Sequence, residues 1–164
     1  MSVNGSVSAA INVRDQRTIG VNDVPVSVGP TFSVAGQITN GTGANQANRT
    51  WHAVRTIPTG GNDDLDLAGG LTDLQTGGAI TFTSIISVAI KNRSATATLT
   101  IGGGTNTVTT ILPGTSTVVL RPGGFVVLYG ADATGYAVVA ATGDILRISG
   151  TVGQQYDIVI IGRI

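Results

Sequence analysis

Apolar and polar residues exchange places at every second position along most of this chain, the period of a strand with one buried and one wet face. Val7, Ala9, Ile11 and Val13 alternate with small or polar residues, and Phe32, Val34, Gly36 and Ile38 repeat the pattern. Between them Val24, Val26 and Val28 alternate around Pro25, which lacks a backbone donor and so suits a sheet edge or a strand start. Trp51, Ala53, Arg55 and Ile57 form the next predicted strand, with His52 and Val54 on its other face. Ile80, Phe82, Ser84, Ile86, Val88 and Ile90 predict one long alternating strand, and Ala97, Leu99 and Ile101 alternate after a turn at 92–94. Further strands are expected at 108–112, 117–120, 125–129, 136–140, 145–148 and 156–161. Glycine, proline and small polar residues separate them, the chemistry of turns.

The alternation breaks between Gly60 and Gly78, where Leu65, Leu67, Leu71 and Leu74 stand at irregular spacing among Asp63, Asp64, Asp66 and Asp73. That stretch predicts a structured loop carrying a helical turn, its leucines turned inward. Short strands at regular spacing predict an all-β fold, a β-sandwich. An eight-stranded jelly roll, with additional N-terminal strands, is the specific expectation, because it closes two packed sheets with few free edges. Residues 40–164 supply the sandwich domain. Residues 1–39 supply N-terminal strands or an arm, packed on the same domain or on a neighbour.

Composition sharpens this picture. Val, Ile and Thr make up about a third of the chain, the β-branched set that fits a pleated surface. Glutamate is absent and Lys91 is the only lysine, so polarity comes from threonine, serine, asparagine and backbone. Acidic and basic residues number nine each, and the arginines are scattered from Arg14 to Arg163. Neutralising a nucleic-acid backbone needs clustered positive charge, so no nucleic-acid partner is expected. A surface with so little net charge favours association, and a homo-oligomer is expected. The absence of cysteine removes disulfides and thiolate metal sites. The first residues do not read as a signal peptide, and apolar runs such as 136–141 fall far short of the ~20 residues that span a bilayer. No membrane partner is expected.

Four stretches carry a resemblance: 40–47 (Asn40 to Ala47), 64–73 (Asp64 to Asp73), 132–138 (Asp132 to Val138) and 156–162 (Tyr156 to Gly162). They resemble a group of tailed-bacteriophage virion proteins of the capsid decoration (cement) and head–tail accessory type. The resemblance runs from about residue 40 to the C-terminus and consists of loops and strands, with no catalytic signature. It implies a virion structural protein that binds a major capsid protein on the capsid exterior, made in the host cytoplasm.

Candidate chemistry is thin. His52 is the only histidine, and a hydrolytic triad around it lacks a Gly-x-Ser-x-Gly elbow. The aspartates of the 62–73 stretch offer hard oxygens to calcium, but without EF-hand spacing or a bidentate glutamate; turn chemistry is the stronger reading. The glycines at 102–104 lack the Lys-Ser/Thr pair of a phosphate loop and predict a hairpin turn into another strand. No catalytic residue, cofactor or metal is therefore assigned, and no enzyme is expected. Large amphipathic and cationic side chains nominate a protein interface instead: Tyr136, Trp51, Arg55 and Arg121. The function expected is that of a capsid decoration subunit. Its alternatives are a phage tail, fibre or receptor-binding module, or a carbohydrate-binding β-sandwich.

Overall fold

The computed structural model of the chain describes residues 2–13, 15–19, 24–29, 31–73 and 75–164. Among them are sixteen strands and no helix. The N-terminal part holds β1 (Gly5–Asn12), β2 (Asp15–Ile19), β3 (Val24–Val28) and β4 (Thr31–Asn40), followed by the short β5 (Gln46–Ala47). Then come β6 (Arg49–Thr56), β7 (Asn62–Asp66), β8 (Ala68–Thr72), β9 (Ala79–Thr81), β10 (Ser84–Asn92) and β11 (Leu99–Gly102). The last five are β12 (Thr117–Leu120), β13 (Phe125–Tyr129), β14 (Tyr136–Ala137), β15 (Ile145–Ser149) and β16 (Gln155–Arg163).

From β6 onward the main strands pair as one long antiparallel ribbon: β6 with β16, β7 with β15, β10 with β13, and β11 with β12 at its closed end. The ribbon then closes on itself, because β16 also pairs with β10 and β15 with β11. Two sheets result, ordered β13-β10-β16-β6 and β12-β11-β15-β7. Each strand of a period-2 pattern has one apolar face, and stacking two sheets buries both. One core cluster spans the two: Leu65, Leu99 and Ile148 from one sheet meet Ile90, Ile158 and Ile160 from the other. The fold is an all-β sandwich, as the alternation predicts.

Four local expectations give way. The 60–78 stretch is not a loop with a helical turn: β7 joins the second sheet and β8 pairs with β9. Its leucines do turn inward, Leu65, Leu67 and Leu71 all being buried, while Leu74 lies outside the described residues. Strand pairing wins there because two of the aspartates, Asp63 and Asp64, are matched by arginines. Residues 108–112 form a turn, with the Ile111 and Leu112 N–H groups both donating to Val108 O, so that these apolar side chains fold over the core instead of extending. In 136–140 only Tyr136 and Ala137 pair as a strand. The glycines at 102–104 end β11 and open a long connection to β12 rather than a tight hairpin. Gly102 holds φ +95°, and a Cβ there would collide with Ser116 O, so only glycine fits.

The long alternation from Ile80 to Ile90 is interrupted as well. A register shift between Ile85 and Ser87 changes the phase of the alternation, so that Ile85 and not Ile86 falls in step with Val88 and Ile90. Ile85 joins Val88 and Ile90 in the main core, whereas Ile86 faces outward into a second cluster with Val3, Ile38 and Ala47. That second cluster seats the N-terminal part. β1 and β4 pair over eight residues into a ribbon, β2 and β3 pair beyond it, and β4 ends against β5. Residues 1–39 thus include the strands of an arm whose base packs on its own sandwich. The facing of the Val24, Val26 and Val28 side chains, like Arg14, lies outside what is described.

Candidate assembly surface

Residues directly opposite in an antiparallel pair point to the same side. In the β1–β4 ribbon, Val7 faces Gly36, Ala9 faces Val34 and Ile11 faces Phe32, so one side of the arm is an apolar stripe. The other side carries Ser6, Ser8, Ser33 and Gln37. The stripe is seated only at its base, where Gly36 lies under the Tyr129 ring so closely that a Cβ would run into it. The Tyr129 hydroxyl donates to Asn45 Oδ1 at 2.5 Å and holds that ring in place. Farther out the stripe is open: Ile11 is 61 % and Phe32 57 % exposed.

The outward face of the first sheet continues this apolar surface. The register aligns Phe125, Lys91, Asp157 and Val54 across the four strands, and Val127, Ala89, Val159 and His52 in the next row. Phe125 is 70 % exposed, and Val54, Val127 and Val159 are exposed with it. A shallow depression of about 260 Å³ lies over Ala89, Phe125, Val127 and Val159. A groove of about 150 Å³ runs between arm and sheet, walled by Val7, Ala9 and Val34 on one side and Val127 and Tyr129 on the other. Charges on this face are few: Lys91 stands opposite Asp157 in the register, and Asp157 pairs with Arg93 at 2.7 Å. Large exposed apolar areas rimmed by polar groups mark contact surfaces.

The interface residues nominated from the sequence fall elsewhere. Trp51, 5 % exposed, is a core residue whose indole N–H donates to Thr72 O at 3.2 Å. Tyr136 is half-buried and packs on the core. Arg55 grips Asp63 in a bidentate pair, at 3.0 and 2.6 Å, and Asp63 also accepts from the Tyr156 hydroxyl at 2.8 Å. Arg121 is exposed beyond the end of β12. Period-2 facing alone put Val54 opposite to Trp51; what the sequence did not disclose is that the outward faces of β6, β16 and β13 adjoin.

Three of the four stretches that carry the resemblance come together at one residue. Arg163, at the end of β16, is buried, and its guanidinium donates to Gln46 O at 3.0 Å and Gly43 O at 2.6 Å in the first stretch. It donates also to Ala133 O at 2.5 Å and Asp132 O at 3.1 Å in the third. One side chain thereby ties the loops at 40–47 and 131–135 to the C-terminal strand. In the second stretch Asp73 pairs with Arg49 at 2.6 Å, at the start of β6.

The acidic side chains among the described residues are engaged in fold-holding contacts. Asp66 accepts from Ala68 N, and Asp73 from Gln75 N and Thr76 N, as turn-formers do. Those backbone donors hold the Asp73 carboxyl below its ordinary range, and those of Gly135 and Thr134 do the same for Asp132. Hydrogen bonds from Arg147 lower Asp64. Burial, reinforced by Asp63, pushes the Tyr156 phenol far up. No group of three or more His, Asp or Glu side chains placed to hold a metal occurs among the described residues. His52 is exposed on the outer sheet face, opposite Val159. Comparison of the chain with protein-family models, with curated proteins and with solved structures gives no match.

Proposed function

We propose that this chain is a virion structural protein, a capsid decoration subunit that adds to the outside of an assembled shell and binds its major capsid protein. The observation that carries this reading is the exposed apolar surface formed by the first sheet and the arm, on a chain whose charged groups are mostly spent holding its own fold. On this reading the chain acts through contact rather than turnover. The resemblance of four stretches to tailed-bacteriophage virion proteins supplies the setting, and three of them contribute to the Arg163 junction and its strand. The rolled-ribbon pairing, first strand with eighth through fourth with fifth, supports reading the sandwich as a jelly roll.

Its mechanism is mass action. A ligand that binds only the assembled shell stabilises it by RT ln(1 + [L]/Kd), about 2.7 kcal/mol at a hundredfold excess over Kd. Contacts to several shell subunits at once raise the effective affinity further. The β12 edge adds a second kind of contact: Thr117, Val118 and Val119 are exposed and uncharged, a strand able to accept another.

The test is immunogold labelling of virions from cells that produce this chain. Labelling over the whole head supports the decoration reading. A signal confined to the tail or one vertex would replace it with a tail or fibre role, and particles free of the protein would overturn both.

A further inference from the structure

We propose that the partner for the arm is a second copy of this chain: the apolar stripe of one arm lies across the outer face of the first sheet of its neighbour, reciprocally. This assigns that assembly surface to a second copy rather than to the shell, which would then meet the dimer at the exposed β12 edge, and it does not need a virus.

Both halves of such a contact are present in every chain, and neither is covered. The arm offers a two-stranded ribbon with Ile11, Phe32 and Val34 on one side. The sheet offers an apolar field with Phe125, Val127, Val159 and Val54 across three of its strands. The contact also continues one that already exists. At the base of the arm the same stripe, through Gly36 and Val7, is seated against Tyr129 of the same sheet, and only beyond that point do the two apolar walls part. The rim is sparsely charged: Asp157 pairs with Arg93 at 2.7 Å, and Lys91, opposite Asp157 in the register, is the one further charge in that row, so apolar contact dominates the face.

Area decides between one contact and two. With ~150–250 Å² for a whole aromatic side chain, the three arm residues and four sheet residues together expose roughly 700 Å². A single arm-on-sheet contact therefore falls short of the ~1,200–2,000 Å² of a stable interface, whereas reciprocal exchange about a two-fold axis doubles the apolar area to roughly 1,400 Å². Exchange also leaves no patch over to propagate into fibres, because a two-fold contact is closed.

The experiment is sedimentation equilibrium of the full chain and three variants, with thermal unfolding of each as a control for folding. The wild-type chain should be dimeric at micromolar concentration. Phe32→Lys on the arm and Phe125→Lys on the sheet should each raise the dimer dissociation constant at least tenfold, while the melting temperature taken at a concentration low enough that the wild type is monomeric stays unchanged. Val152→Lys, an exposed valine in the turn before β16, should leave the constant unchanged. Because the chain has no cysteine, Phe32→Cys and Val159→Cys proteins of different mass can be mixed and joined by a bismaleimide, and the mixed covalent dimer should form. A monomeric wild type, or a dimer that survives both lysine substitutions, would overturn the proposal. So would a Phe32→Cys/Val159→Cys double variant that joins only within one chain, since the arm would then lie on its own sheet. None of these results bears on whether the protein is found on virions.

Discussion

Arg163 shows how much one side chain can hold. Its guanidinium serves four backbone carbonyls on two loops, and the bond to Gln46 O spans 117 residues of chain. Arg163→Ala would remove the shared charged donor of those part-buried carbonyls, and the loss should be about 2–3 kcal/mol, read from the urea midpoint. Arg163→Lys should recover only part of it, because an ammonium cannot reach acceptors spread around a planar fork. Protonation is a second residue-scale lever. Asp64, Asp73 and Asp132 are all lowered in the folded state, so their contribution is present above the unfolded carboxylate pKa, about 4, and is lost as pH falls through the folded values. Melting temperature should therefore decline below about pH 4. Asp132→Asn, which keeps an oxygen for Thr134 and Gly135 but loses the charge, should flatten that decline. Tyr156 acts at the other end: its raised pKa stabilises the fold fully below about pH 10 and progressively less above it. Of these residues the sequence disclosed little, since an arginine and the carbonyls it serves are joined only by the fold. Gly36 is the exception: a glycine inside an alternating strand signals close approach of another group, and the Tyr129 ring is that group.

At the scale of elements, most strands were legible because their signal is local. Where β10 carries its bulge, local reading failed: the alternation through Ile86 and Val88 predicts one face, and the register shift gives them two. The gain is a seat for the arm. Ile86→Ala should cost about 2–4 kcal/mol locally, since Ile86 is wholly buried in a small cluster. Its effect should appear as faster limited proteolysis of the arm, with hydrogen exchange in β10 and β16 little changed. The 108–112 turn failed for a different reason. Its apolar residues satisfy burial by folding over the end of the core, which a strand and a turn can both do.

For the whole molecule, association through apolar faces and association through charge respond oppositely to salt. If self-association runs through Phe32 and Phe125, it should persist or strengthen from about 0.05 to about 1 M NaCl, because screening acts on exposed charges while apolar burial is not screened. A dissociation constant rising tenfold or more over that range would point to ionic contacts instead. The rolled-ribbon pairing also sets the folding rate. β6 must find β16 at the far end of the chain, so refolding should fall in the millisecond-to-second range of non-local β folds, measured by stopped-flow fluorescence of Trp51.

Most strand positions, the facing of most side chains and the all-β class followed from the order of residues alone, because period-2 alternation and β-branched content are properties of neighbouring positions. Only the tertiary structure decided which strands adjoin, and hence which apolar side chains are covered. Period-2 facing sets Trp51 and Val54 on opposite sides of β6, but that the Trp51 side is covered by the second sheet and the Val54 side left exposed came from the packing. The exposed face becomes a surface only when β13, β10, β16 and β6 are set side by side, and that arrangement rests on contacts between residues distant in sequence.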